Sequence, residues 1–152
     1  MISLADTSIL LRLSNTDDAR YLVTQSALQA LRERGESVVV ARQNFVEFRC
    51  VAARPILVNG MGMSSEQAES ELDRLEKIFP RLLELDEVYA EWRRLCRLAG
   101  VSGKQVHDTR LVAVCICSGV QTILTWNPKD FVRFLPFVPG LAVLTPDDVR
   151  AE

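Results

Sequence analysis

Cysteine pairs, histidine and long apolar runs are scarce in this sequence, and each scarcity removes a class of function. The four cysteines, Cys50, Cys96, Cys115 and Cys117, form no CxxC pair. Zinc sites and disulfide frameworks need clustered thiolates at set intervals, so neither is expected. Buried free thiols in a reducing compartment are expected instead. The only histidine, His107, sits beside an acid, where a structural role is commoner than a general base. No apolar run approaches the roughly 18 residues that a membrane span requires. Met1 leads directly into an apolar strand, with no signal-peptide pattern, which predicts a cytoplasmic protein. There is no GxGxxG or GxxxxGKS/T loop, so nucleotide-cofactor chemistry has no support. The net charge of −2 gives no global attraction for nucleic acid, although it leaves room for a local basic rim. Repeats, low-complexity segments and linkers are also absent.

What remains is an ordinary globular composition, 48% hydrophobic and 25% charged over 152 residues. That suits a single domain, 1–152, large enough to bury a core without staples. Ile2 to Ala5 is a short apolar run closed by Asp6-Thr7-Ser8, the pattern of a buried strand with a carboxylate at its end. A short helix over 9–13 and a longer one over 17–34, stopped by Gly35, lead to the β-branched run Val38-Val39-Val40. Strand, helix and strand in that order imply parallel pairing through a crossover. Helices are expected over 43–54 and 64–79, the second opened by a capping box from Ser64 to Gln67. A third short strand is expected at 82–85, then helices over 86–100 and 106–118. Strands at 122–125 and 141–144 and a helix start at Thr145-Pro146 complete the chain. The alternation predicts a three-layer α/β/α sandwich with a mostly parallel five-stranded sheet and a helical insert between its second and third strands.

In such sheets ligands bind at the carboxyl ends of the strands. Asp6 ends the first strand, Glu47 lies early in the helix after the second, and Asn127 and Asp130 follow the fourth. Asp108 reaches the same edge only if its helix begins there. Taken alone, Asp6 is equally a helix cap, Asp108 a first-turn acid, and Asn127-Pro128 a turn. Carboxylates gathered at one edge raise one another's pKa unless a cation neutralises them. Oxygen-rich sites of this kind suit Mg²⁺ or Mn²⁺, which activate water and stabilise displacement at phosphorus.

Four blocks in series carry a resemblance: Leu4-Ala5-Asp6-Thr7-Ser8-Ile9-Leu10, Asn44-Phe45-Val46-Glu47-Phe48, His107-Asp108-Thr109-Arg110-Leu111-Val112-Ala113 and Thr125-Trp126-Asn127-Pro128-Lys129-Asp130-Phe131. With these the chain resembles PIN-domain ribonucleases over essentially its whole length, most closely the VapC-type toxins of toxin–antitoxin pairs. The resemblance implies a five-stranded parallel sheet and cleavage of RNA with Mg²⁺ or Mn²⁺. It makes Asp6, Glu47 and Asp108 the core acids, with the hydroxyls of Ser8 and Thr125 assisting. It also implies a homodimer and a small antitoxin lying over the site. Many members carry an acid two residues after the threonine, where this chain has Asn127. The fourth ligand is thus Asn127 or Asp130, and the number of metals stays open. The alternative is a degenerate PIN module that binds RNA or a protein partner without cutting. A phosphatase-like domain needs a second Asp close behind the first, and Asp6-Thr7-Ser8 offers none. Arg12, Arg42, Arg49, Lys104, Arg110, Lys129 and Arg133 lie near the acidic blocks as candidate phosphate contacts, of which two or three are expected to serve.

Overall fold

A computed structural model of the chain describes residues 1–151. Its first crossover is β1 (Ile2–Ala5), α1 (Thr7–Leu13), α2 (Tyr21–Glu33) and β2 (Ser37–Val39). Then follow α3 (Arg42–Ala52), α4 (Ser65–Ile78), α5 (Glu87–Ala99) and α6 (Gln105–Ser118). The chain closes with β3 (Thr122–Leu124), β4 (Ala142–Leu144) and α7 (Pro146–Ala151). The strands pair in the order β2-β1-β3-β4, and every pairing is parallel.

The alternation of side chains along the strands divides the core into two layers. Leu4 and Ile123 pack on one face with Leu95, Leu111, Phe131 and Phe134. Their neighbours Ala5 and Leu124 face the other way, against Ile9, Leu10, Phe45, Phe48 and Leu75. Helices therefore cover both faces of the sheet, as a parallel sheet requires.

The expected third strand, at 82–85, does not form, while the one expected at 141–144 does. At 82–85 the chain makes only an isolated parallel bridge, between Val40 and Arg81. Two backbone bonds hold it, Val40 N to Pro80 O and Leu82 N to Val40 O. Pro80 has no N–H to extend the ladder backwards, and Leu83 beyond the bridge is 80% exposed, so no apolar face drives the pairing forward. The sheet is four-stranded among the described residues.

Other boundaries moved by small amounts. The second helix starts at Tyr21 rather than near Asp17, because Asp18 turns inward and accepts the backbone N–H of Arg20 at 2.8 Å. The capping box at Ser64 and Gln67 forms in both directions, at 3.1 and 2.8 Å. Of the four cysteines only Cys115 is buried; Cys50 is exposed, Cys96 and Cys117 are half-buried, and all are free thiols. The expectation of buried thiols thus fails for Cys50, which lies on the outer side of α3. No helix of the described residues is long and apolar enough to cross a membrane.

Candidate metal centre

The carboxyl edge of the sheet is built by continuing its ladders one residue beyond the strands. Asp6 N–H donates to Leu124 O at 2.9 Å, and Thr125 N–H donates to Leu144 O at 2.9 Å. These two bonds place Asp6 and Thr125 side by side on adjacent strands. Asp6 is also the N-cap of α1, accepting from Ser8 N–H at 3.3 Å, so capping and a place in the site coexist in one side chain. The Ser8 hydroxyl donates to Asp6 Oδ2 at 2.7 Å, and the Thr125 hydroxyl reaches the same oxygen at 2.9 Å. Both hydroxyls are in turn oriented by backbone, since Ser8 Oγ accepts from Trp126 N–H at 3.0 Å and Thr125 Oγ1 from Asn127 N–H at 2.9 Å.

Glu47 comes to this edge from α3. Its Oε2 accepts from the Thr7 hydroxyl at 2.6 Å, and its Oε1 from the Gln43 amide at 2.6 Å. Thr7 is itself steadied by the fully buried Asn44, whose Nδ2 donates to Thr7 Oγ1 at 3.2 Å while its Oδ1 accepts from Ala41 N–H. Asp108 arrives on the first turn of α6. That helix runs down into β3 through a tight turn at Gly119, where φ is +67°, so its start stands at the carboxyl edge of the strand that follows.

Burial and mutual repulsion dominate the electrostatics. Burial lifts the Asp6 carboxyl above its ordinary range, against the pull of its hydrogen bonds from Ser8, Thr125 and the Thr7 backbone. Asp108 is raised to about 7, first by burial, then by the charges of Asp130, Asp6 and Glu47, with Arg133 opposing. Four acids are thus within electrostatic reach of one point. None of the four forms an ion pair with a basic side chain among the described residues.

Of the predicted residues, Asp6, Ser8 and Thr125 are joined by hydrogen bonds, and Glu47, Asp108 and Asp130 are coupled to them through charge. Asn127 is exposed and meets Thr125 only through its backbone. Asp130 is exposed too, but its charge is the largest electrostatic influence on Asp108. His107 contributes its carbonyl, which accepts from Gln43 Nε2 at 2.8 Å. Sequence reasoning missed Thr7, Gln43 and Asn44 as supports of Glu47. The spacing of Gln43 and Glu47, four apart on one helix, was the available signal.

By chemical type, the oxygen donors of Asp6, Glu47, Asp108 and Asp130 suit a hard divalent cation. Among the described residues no group of three or more acidic, histidine or cysteine side chains is close enough together to hold a metal ion. Mg²⁺ and Mn²⁺ take one or two carboxylates and keep several waters, whereas structural zinc takes a closed thiolate or imidazole cage. The buried Asp6 and the half-buried Glu47 and Asp108, none of them in an ion pair, are the feature such an ion would relieve.

No protein-family model matches the chain, and no curated protein sequence does. Solved structures do match. The fold is that of VapC-type toxins. VapBC2 from Rickettsia felis, bound to a DNA fragment from its promoter, aligns at a TM-score of 0.69 and 17% identity, over 95% of this chain and 98% of that one. VapBC-1 from nontypeable Haemophilus influenzae aligns at 0.66 and 15% identity, over 97% and 99%. VapC20 of Mycobacterium tuberculosis, a toxin that cleaves the sarcin-ricin loop, aligns at 0.59 and 18% identity, over 84% and 92%. At these identities the likeness to VapC is one of fold.

Proposed function

We propose that the chain is a divalent-metal-dependent endoribonuclease, acts as a single domain over residues 1–152, and is the toxin of a toxin–antitoxin pair. The observation that carries this reading is the meeting of Asp6, Glu47, Asp108 and Asp130 at one sheet edge without any basic side chain paired to them.

Asp6, Glu47 and Asp108 would hold Mg²⁺ or Mn²⁺, with Asp130 or Asn127 completing the acidic rim. A bound ion supplies activation of water and stabilisation of the leaving oxygen at phosphorus. The chain's own part is positional. Ser8 and Thr125 fix the plane of the Asp6 carboxylate, and Thr7 and Gln43 fix Glu47. Arg12 is engaged with Asp18, Arg49 with Glu69, and Arg110 with Glu84, which takes three of the candidate phosphate contacts out of use. Arg42, Lys104, Lys129 and Arg133 are exposed, and among the described residues they have no ion-pair partner. Of these Arg133 is close enough to Asp108 to lower its pKa, and it is the first choice for a phosphate at the site.

Two of the structural neighbours are VapBC assemblies, which supports an antitoxin as the protein partner of this chain. A homodimer and a cytoplasmic location belong to the same proposal. The exposed, uncharged Asn127 favours one competing reading, a module of this fold that binds RNA or a protein without cutting. Calorimetry with Mn²⁺ in the presence of RNA separates the two. Heat of metal binding supports the nuclease; RNA binding with no metal binding supports the module.

A further inference from the structure

We propose that Gln43 is a positioning residue that locks Glu47 to the start of α6 beside Asp108, so that the two acids meet a cation as a unit. The inference rests on the metal-dependent reading above and adds a residue to it.

Gln43 makes three polar contacts that use every kind of group its amide has. Nε2 donates to Glu47 Oε1 at 2.6 Å and to the His107 carbonyl at 2.8 Å, and Oε1 accepts from Arg110 Nη1 at 3.1 Å. The reversed amide would set its oxygen against a carboxylate and a carbonyl, and its NH₂ against a guanidinium. Only the observed orientation satisfies all three neighbours. Arg110 is in turn held by Glu84. The chain of contacts thus runs from Glu84 through Arg110 and Gln43 to Glu47, and on through Thr7 to the buried Asn44.

Two consequences follow for the site. His107 is the residue before Asp108, so the bond from Gln43 to its carbonyl ties the backbone carrying one acid to the side chain of the other. Both Glu47 oxygens are held by neutral donors, a hydroxyl and an amide. Arg110 is joined to Glu47 only through the Gln43 amide, so the carboxylate is oriented while its charge stays available to a ligand. Partners of this kind behind a metal ligand typically change metal affinity by 10–100-fold when removed.

The test is a Mn²⁺ titration of the full-length chain at pH 8, followed by calorimetry and by paramagnetic broadening of the amide signals of Glu47 and Asp108. In the parent, one ion is expected to broaden both signals together. Gln43→Met keeps the length of the side chain and removes the amide. It should bind Mn²⁺ about tenfold more weakly, with Glu47 losing broadening relative to Asp108. Unchanged affinity and broadening would mean that Gln43 only fills space, which overturns the inference and leaves the metal reading standing. A parent that binds no Mn²⁺ overturns both. If Gln43→Met lowers the melting temperature, Gln43→Asn, too short to reach both Glu47 and His107, carries the test under the same criteria.

Discussion

The hydroxyl of Thr125 donates to Oδ2 of Asp6 across 2.9 Å, joining residues 119 positions apart in sequence at the ends of neighbouring strands. Ser8 donates to the same oxygen, and its hydroxyl lies 3.3 Å from that of Thr125. A single carboxylate oxygen is therefore where β1, α1 and β3 converge. All three residues are buried, so none of these bonds is exchanged freely with water.

Thr125→Val preserves shape and removes the hydroxyl. It takes one donor from Asp6 and leaves the Asn127 N–H without its acceptor. Loss of a buried hydrogen-bonding partner costs about 1–3 kcal/mol, which denaturant unfolding at pH 7 should register. The Asp6 carboxyl should also rise further, because the Thr125 bond is one of the contacts that hold it down. A carbonyl-carbon NMR titration of Asp6 checks that shift, and an unchanged value would contradict the assigned contact.

Asp6→Asn is expected to separate stability from activity. Asparagine caps helices as well as aspartate does, and its amide oxygen can accept from Ser8 and Thr125. The substitution removes a buried charge that no basic residue balances. Without metal, the variant should be more stable than the parent at pH 8 by on the order of 1 kcal/mol, as is common where a function-bearing group is strained. Equal or lower stability in metal-free thermal melts would mean that Asp6 is not an electrostatic burden.

Asp108 sets a pH dependence of stability with a definite sign. In the folded chain its carboxyl titrates at about 7, and its ordinary value is 3.8. Between those values the folded state holds a proton that the unfolded state has released, so stability falls as pH rises. The penalty is absent below about pH 4 and fully imposed above about pH 7, and Asp6, raised by burial, acts in the same direction. Metal-free melting temperatures should therefore decline between pH 5 and pH 8 by more in the parent than in Asp108→Asn. Mn²⁺ should offset the decline chiefly at the alkaline end, where the carboxylates are free to receive it.

The rim acids can be separated by charge. Asp130 is the largest charged influence on Asp108, so Asp130→Asn should bring the Asp108 pKa down from about 7. Asn127→Asp adds a carboxylate after Thr125 and should push Asp108 up while strengthening Mn²⁺ binding several-fold. NMR titration of Asp108 in both variants decides between the two positions as the fourth site residue. If Asp130→Asn leaves Asp108 untouched and Asn127→Asp moves it, Asn127 is the position that faces the site.

The position of Asp6 was legible from sequence, because a short apolar run followed by an acid marks a strand end, whether the acid then caps a helix or lines a site. Asp6 was located in that way and Thr125 through the resemblance of its block, and the sheet pairing β2-β1-β3-β4 delivers them side by side. Asp108 was less secure, since it precedes its strand; the antiparallel run of α6 into β3 supplies what the pattern of residues lacked. The third strand was misread because Leu82 to Leu85 has the apolar content of a strand. Whether such a run pairs depends on what covers it, and Leu83 is left to solvent. Thr7 and Asn44 were invisible as supports because their partners lie 40 and 37 positions away, and of the contacts of Gln43 only the one to Glu47, four residues on, leaves a periodic trace.

The central claim is that this acidic edge cuts RNA with a divalent ion, and the direct test is digestion of mixed RNA by the purified chain with Mn²⁺. The parent should produce fragments ending in 5′-phosphate and 3′-hydroxyl, and chelation should stop it. Asp6→Asn and Asp108→Asn should each cut at least about a hundredfold more slowly, the scale expected when a group central to charge stabilisation is lost. Equal cleavage by parent and variants, or cleavage that persists under chelation, would contradict the assignment.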